Sequence, residues 1–294
     1  MLELRQVVKQ FGKNLIAVND VSLNLTHGVV GLIGHNGAGK TTLMQMIATL
    51  SSPTSGQILF DGQDIAKHPQ QIRARLGYLP QDFGIYPNLS ALEFMQYFAA
   101  LKGCNDPARI RYLLELVNLH EQAKRPAASF SGGMRRRLGI AQALINDPDI
   151  LIVDEPTAGL DPEERMRFRN LIGELGFKKL VIMSTHIVSD VESIATQLAI
   201  MRSGKLVAFE TPETILEQSH GHIWTAEIDT DYYERLRHKV HILNAQRQGS
   251  SMVVRIAHPS QPCFDAIPVV ASLEEALMAQ RYAQKEQPEQ QEVA

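Results

Sequence analysis

The chain has 294 residues, 44% hydrophobic and 21% charged, enough apolar material for one large domain and a smaller one. A net charge of −3 leaves no global basic footprint, so no nucleic-acid partner is expected. The only cysteines, Cys104 and Cys263, exclude a disulfide framework or a cysteine zinc site and fit a reducing compartment.

In chain order, MLELRQVVKQFG places charged residues at once, with no apolar core of a signal peptide. Short β-rich runs follow at 2–8, 21–25 and 29–33, and the last feeds a glycine-rich turn and a helical pattern over 41–50. Further strands are expected at 57–60 and 77–80. Helices are then expected at 92–101 and 108–119 and after Ser131, within a block of about 85–146 that has lost β character. Strands return at 150–153 and 180–184, with a helix over about 162–175 between them. The alternation predicts an α/β fold built on a parallel sheet, with the helical block inserted as a subdomain. From about 218 the texture changes to short strands at 222–228, 241–245 and 252–256 and a helix at 272–285. Residues 218–284 therefore read as a separate α+β module, and the polar stretch 285–294 reads as a disordered tail. The apolar runs, such as ILIV at 150–153, are far too short to cross a bilayer, so the chain is expected to be soluble on its own.

The turn after residues 29–33 is GHNGAGKTT: Gly34, His35, Asn36, Gly37, Ala38, Gly39, Lys40, Thr41 and Thr42. It fits G-x-x-x-x-G-K-[ST] between a strand and a helix, the setting in which backbone N–H groups cradle a β-phosphate. Lys40 is then expected to reach the β- and γ-phosphates and the Thr41 hydroxyl to sit on Mg²⁺. The run ILIVDE ends an apolar strand in two carboxylates, which need water, a partner or a cation. Asp154 is the expected Mg²⁺ residue, and Glu155 the carboxylate that polarises an attacking water. The strand at 180–184 runs into STH, which puts His186 at the edge of the same sheet.

The stretch SFSGGMRRRLGIAQAL begins a helix with Ser131 as N-cap, yet sets Arg135, Arg136 and Arg137 where the helix dipole is positive. Asp161, ahead of Pro162, is a good N-cap in its own right.

The ordered set GHNGAGKTT, GYLPQ, SFSGGM, ILIVDE, AGLD and STH resembles the nucleotide-binding subunits of ABC transporters over residues 1 to about 215. The FSGGM form, the short interval before it and the C-terminal extension resemble the ABC-2 type exporter branch. The resemblance implies an ATP-binding domain over 1–217, with a RecA-like P-loop NTPase core of mixed sheet, an antiparallel β subdomain and the inserted helices. It implies that Phe11 stacks on adenine, that Gln81 touches Mg²⁺ and the attacking water, and that His186 senses the γ-phosphate. Two subunits, identical or closely paralogous, would face each other head to tail. Ser131, Gly132 and Gly133 of one would then meet the ATP held by Lys40 of the other, and Asp161 would contact the opposite subunit. Hydrolysis at Glu155 would drive export through separate integral-membrane permease subunits, from the cytoplasmic face of the membrane. Residues 83–88, including Ile85 and Tyr86, lie where the family meets those subunits. Arg137 matches a basic family position, whereas Arg135 and Arg136 are expected to meet acidic neighbours or solvent. The family's common signature ends in glutamine where this chain has Met134. A soluble family member acting on nucleic acid or ribosomes would carry two cassettes or long coiled-coil insertions, which are not seen here. A nucleotide-gated sensor is the other alternative, against which Glu155 and His186 speak.

Overall fold

The computed structural model describes residues 1–286; the tail expected over 285–294 lies, from 287, outside the described residues. The chain divides after Phe209 into two units. The first runs β1 (Leu2–Phe11), β2 (Leu15–Leu25), β3 (Gly28–Ile33), α1 (Lys40–Ile47), β4 (Ser55–Phe60), β5 (Gln63–Asp64), α2 (Pro69–Ala74) and β6 (Leu76–Leu79). It continues through α3 (Ala91–Leu101), α4 (Pro107–Leu116), α5 (Gly132–Ala143), β7 (Ile150–Asp154), α6 (Pro162–Gly176), β8 (Leu180–Thr185), β9 (Gln197–Arg202) and β10 (Lys205–Glu210).

One sheet has the order β2-β1-β4-β5 and is antiparallel; the other has the order β10-β9-β3-β8-β7-β6, with β9, β3, β8, β7 and β6 mutually parallel. Every residue of β3, β7 and β8 is buried, as their unbroken apolar runs require of parallel strands covered on both faces. Each such Val, Leu or Ile contributes about 1.5–3 kcal/mol through burial, which makes these strands a rigid platform. Because they are parallel, the glycine turn after β3, Gln81 after β6, the acids at the end of β7 and His186 after β8 all emerge at the same edge.

Several elements exceed the expectations. β1 and β2 form a hairpin reaching Phe11 and Leu15, because Phe11, Leu15 and Ile16 are 46–60% exposed and give no core periodicity. β9, β10 and the short helix α2 are additional, as are the short helices at Pro212–Gln218 and Thr230–Leu236.

The second unit comprises α7 (Pro212–Gln218), β11 (Ile223–Asp229), α8 (Thr230–Leu236), β12 (His241–Gln248), β13 (Ser251–Ala257), β14 (Ile267–Pro268) and α9 (Leu273–Glu286). Its antiparallel sheet has the order β12-β13-β11-β14. Ala226, Ile228, Leu236, Val254, Ile256 and Ala266 form its core. Among the described residues no helix is long and apolar enough to cross a membrane.

Candidate active site

The turn between β3 and α1 is shaped by what its residues cannot avoid. Gly39, the N-cap of α1, has φ +99°, and a Cβ there would lie 2.2 Å from the Ala17 carbonyl oxygen, so only glycine fits. The first N–H groups of α1 have no side-chain cap and remain available to an anion. Lys40 is 5% exposed, and its Nζ donates to the carbonyls of Gly34 (2.6 Å) and His35 (3.2 Å). Burial pushes the Lys40 ammonium below the usual lysine range, and the charges of Glu155 and Asp154 oppose that shift.

Asp154 is fully buried. The Ser184 hydroxyl, opposite it in the β7–β8 register, donates to its Oδ1 at 2.6 Å and accepts from the Glu155 N–H at 2.8 Å. Asp154 Oδ2 is buried with no hydrogen-bond partner, an arrangement that costs stability unless a cation or water completes it. Burial and the Asp154 charge together push the neighbouring Tyr78 phenol up to about 12. Glu155 sits at φ +43°, a conformation costing about 1–3 kcal/mol that persists only where its surroundings hold it. Its Oε1 lies 3.8 Å from Lys40 Nζ and its Oε2 lies 3.4 Å from His186 Nδ1. His186 is half-exposed, and so faces both the carboxylate and solvent.

A cleft of ≈ 730 Å³ gathers Phe11, the glycine turn from His35 to Thr42, Gln81 and Glu155. The sequence-predicted residues of the β1 end, the turn, the β6 loop and the β7 acid therefore share one cavity. Leu15, Ile16, Ala17 and Ser203 also line it, although none was singled out by the sequence. Leu15 and Ile16 follow the hairpin turn after Phe11 and give that end of the cleft an apolar wall.

Ser131, Gly132, Gly133 and Asp161 do not line this cleft. Ser131 caps α5, its hydroxyl accepting from the Met134 N–H at 3.2 Å, so the cap uses the backbone of Met134 and not its side chain. Gly133 abuts Glu164, whose carboxylate would stand 2.7 Å from an added Cβ, while Gly132 faces open space. Asp161 caps α6 by accepting from the Glu164 N–H at 2.9 Å. Ser131 and Asp161 are exposed.

The arginine run meets the expectation in part: Arg135 is exposed, and Arg136 lies near enough to Asp82, Asp154 and Glu155 to feel their charge. Arg135 and Arg136 donate to backbone carbonyls rather than to acidic side chains: Arg135 to Phe130 (3.0 Å) and Ala128 (2.8 Å), Arg136 to Pro80 (2.9 Å) and Glu155 (3.3 Å). Arg137 is 8% exposed and donates to Val117 and Asn118 carbonyls and to Glu164. The charges oppose the helix dipole, but each guanidinium is anchored on backbone carbonyls, of which that of Glu155 also accepts from the Ala158 N–H at 3.4 Å.

A phosphate-cradling turn feeding a helix, with a carboxylate pair on a parallel strand of the same sheet, defines a P-loop nucleotide-binding protein. The sequence model of the family described as "ABC transporter" matches residues 18–158. "Nod factor export ATP-binding protein I" of Cupriavidus pinatubonensis is 36% identical, covering 78% of this chain and 73% of its own. "ABC transporter ATP-binding protein NatA" of Bacillus subtilis is 40% identical over 68% of this chain and 84% of its own. The bacterial ABC transporter cassette MJ0796, solved as a dimer, aligns with a TM-score of 0.65 at 26% identity, over 72% of this chain and 98% of that one. It has also been solved in a post-hydrolysis state with ADP and Pi. The chain belongs to the ATP-binding proteins of ABC transporters.

Proposed function

We propose that the protein is the ATP-hydrolysing subunit of an ABC exporter. The observation that carries this reading is Glu155, held in a left-handed backbone at the cleft and flanked by Lys40 and His186. In this scheme Glu155 takes the proton of a water that attacks the γ-phosphorus. The bond to the β-phosphate oxygen breaks, and ADP and phosphate leave. Lys40 neutralises the charge that develops on the phosphates, and His186, beside Glu155, meets the γ-phosphate. Gln81, on the loop after β6, orients the water.

The orphaned Asp154 Oδ2, the Thr41 hydroxyl and the Gln81 amide oxygen would supply hard oxygen donors of the kind that suits Mg²⁺. When bound, Mg²⁺ would neutralise phosphate charge. Asp154→Asn keeps the shape and the Ser184 contact but removes the charge. It is expected to raise the Mg²⁺ concentration needed for half-maximal turnover roughly tenfold, about 1.4 kcal/mol. A Mg²⁺ titration at saturating ATP checks this, and an unchanged midpoint would remove Asp154 from the metal site.

Phe11 is 46% exposed on the cleft, which suits a ring waiting for a base. Base stacking contributes about 1–3 kcal/mol, so Phe11→Ala is expected to weaken ATP binding at least fivefold. Inorganic triphosphate, which has no base, should bind the variant and wild type alike. Equal losses for both ligands in a calorimetric titration would count against stacking.

The exposure of Ser131, Gly132 and Asp161 at the starts of α5 and α6 supports a second ATP-binding subunit, supplying these residues and the adjoining Gly133 in trans. Tyr86 and Tyr97, both exposed, stand 5.4 Å apart over the buried Phe94, an aromatic face suited to permease subunits. Together these support a peripheral place on the cytoplasmic face of the membrane, and the name of the Nod factor relative supports export. The test is ATPase activity with a co-expressed permease against activity with added nucleic acid. Stimulation by nucleic acid alone would overturn the transport reading.

A further inference from the structure

We propose that Arg136 is a positioning residue for hydrolysis. From the signature helix it clamps the carbonyls that precede Gln81 and follow the Glu155 side chain in the same subunit. The proposal rests on the reading of Glu155 as the base. Arg136 lies in the second turn of α5. One guanidinium nitrogen donates to the Pro80 carbonyl at 2.9 Å, across 56 residues, and the other to the Glu155 carbonyl at 3.3 Å, across 19. Glu155 is thus held on both sides of its Cα, its N–H by Ser184 and its carbonyl by Arg136 and the Ala158 N–H, in a conformation that L-residues rarely adopt. Ser131 and Gly133, one turn earlier on the same helix, belong to the surface proposed to meet the opposing subunit's ATP. A shift of α5 on engagement in trans would therefore reach the base in cis through one side chain.

The guanidinium stays charged in this half-buried setting: burial lowers it from the ordinary arginine value, and the charges of Asp82, Asp154 and Glu155 oppose the shift. Its planar fork reaches the two carbonyls from two fixed N–H directions, a pre-organisation that a flexible ammonium lacks. Beside it lies a cavity of ≈ 330 Å³, open between the Gln81–Gly84 loop and Gly132 and Arg135. A shorter side chain at 136 therefore enlarges a wet space rather than an apolar core.

The experiment compares Arg136→Ala, Arg136→Lys and Arg136→Gln with Glu155→Gln in steady-state ATP hydrolysis, with nucleotide affinity measured by calorimetry. Arg136→Ala is expected to lower kcat about tenfold or more with the ATP Kd changed less than about twofold. Arg136→Lys, which keeps a charge and a donor, should recover at least threefold over Ala, and Gln should recover less than Lys. Should the Ala variant not fold, the Lys-over-Gln order carries the same test. In a Glu155→Gln background, Arg136→Ala should still give an ATP-bound dimer, because the clamp acts on the base and not on the contact between subunits. A kcat within twofold of wild type in Arg136→Ala, a parallel loss of ATP affinity, or no advantage of Lys over Gln would each overturn the proposal. Full activity of Glu155→Gln would instead overturn the assignment of the base, independently of the Arg136 outcome.

Discussion

Glu155→Gln is expected to lower ATP turnover about a thousandfold while ATP still binds, the scale of losing a general base together with its charge. Gln keeps the shape and does not disturb the N–H bond to Ser184 or the carbonyl bond from Arg136, so the left-handed backbone should survive. It cannot accept a proton from water, and it no longer faces Lys40 and His186 with a negative charge. Single-turnover hydrolysis of radiolabelled ATP separates this from a product-release effect. Turnover within tenfold of wild type would assign the base elsewhere.

Lys40→Met is expected to weaken ATP binding about 10- to 100-fold, the equivalent of one charge-assisted hydrogen bond of about 1.5–3 kcal/mol. In the structure Lys40 Nζ is parked on the carbonyls of Gly34 and His35, facing Glu155 from a nearly buried position. A triphosphate would add negative charge beside an ammonium that burial has stripped of water. The substitution also leaves Glu155, 12% exposed, facing His186 alone. Calorimetric titration with ATP at fixed Mg²⁺ measures the loss, and an affinity within threefold of wild type would mean that Lys40 does not touch the phosphates.

The parts of the site legible in the sequence are those made by short contiguous runs. The glycine turn is legible because strand, turn and helix lie in consecutive residues. The acids of β7 are legible because an apolar run ending in Asp-Glu contradicts its own burial. Phe11, Gln81, Asp161 and the Ser131–Gly133 segment drew on family resemblance, because a single aromatic or glutamine in a loop has no chemical signature of its own. Ser184 and Arg136 were not legible as parts of the site. Their contacts join residues 19–56 positions apart, and neither a serine in a strand nor an arginine within a basic run signals the carbonyl or carboxylate it will meet. Asp190 is similar: fully buried, it accepts from Thr157 at 2.5 Å and so joins the segments that follow β7 and β8. The β1–β2 hairpin was cut short for another reason. Leu15 and Ile16 face the cleft rather than a core, and apolar residues without periodic burial do not read as a strand. Short helices such as α2 and α7 begin at proline after one or two ambiguous residues, which in sequence looks like a turn.

In the proposed function ATP completes a site between two subunits, Lys40 of one facing Ser131 and Gly133 of the other. Sedimentation velocity of the Glu155→Gln protein, with and without saturating Mg·ATP, tests it most directly. The expected result is a monomer without nucleotide or with ADP and a dimer with ATP, lost again when Gly132→Asp sets a carboxylate at a position that faces open space. A protein that binds ATP fully yet sediments as a monomer, or dimerises equally with ADP, would contradict it.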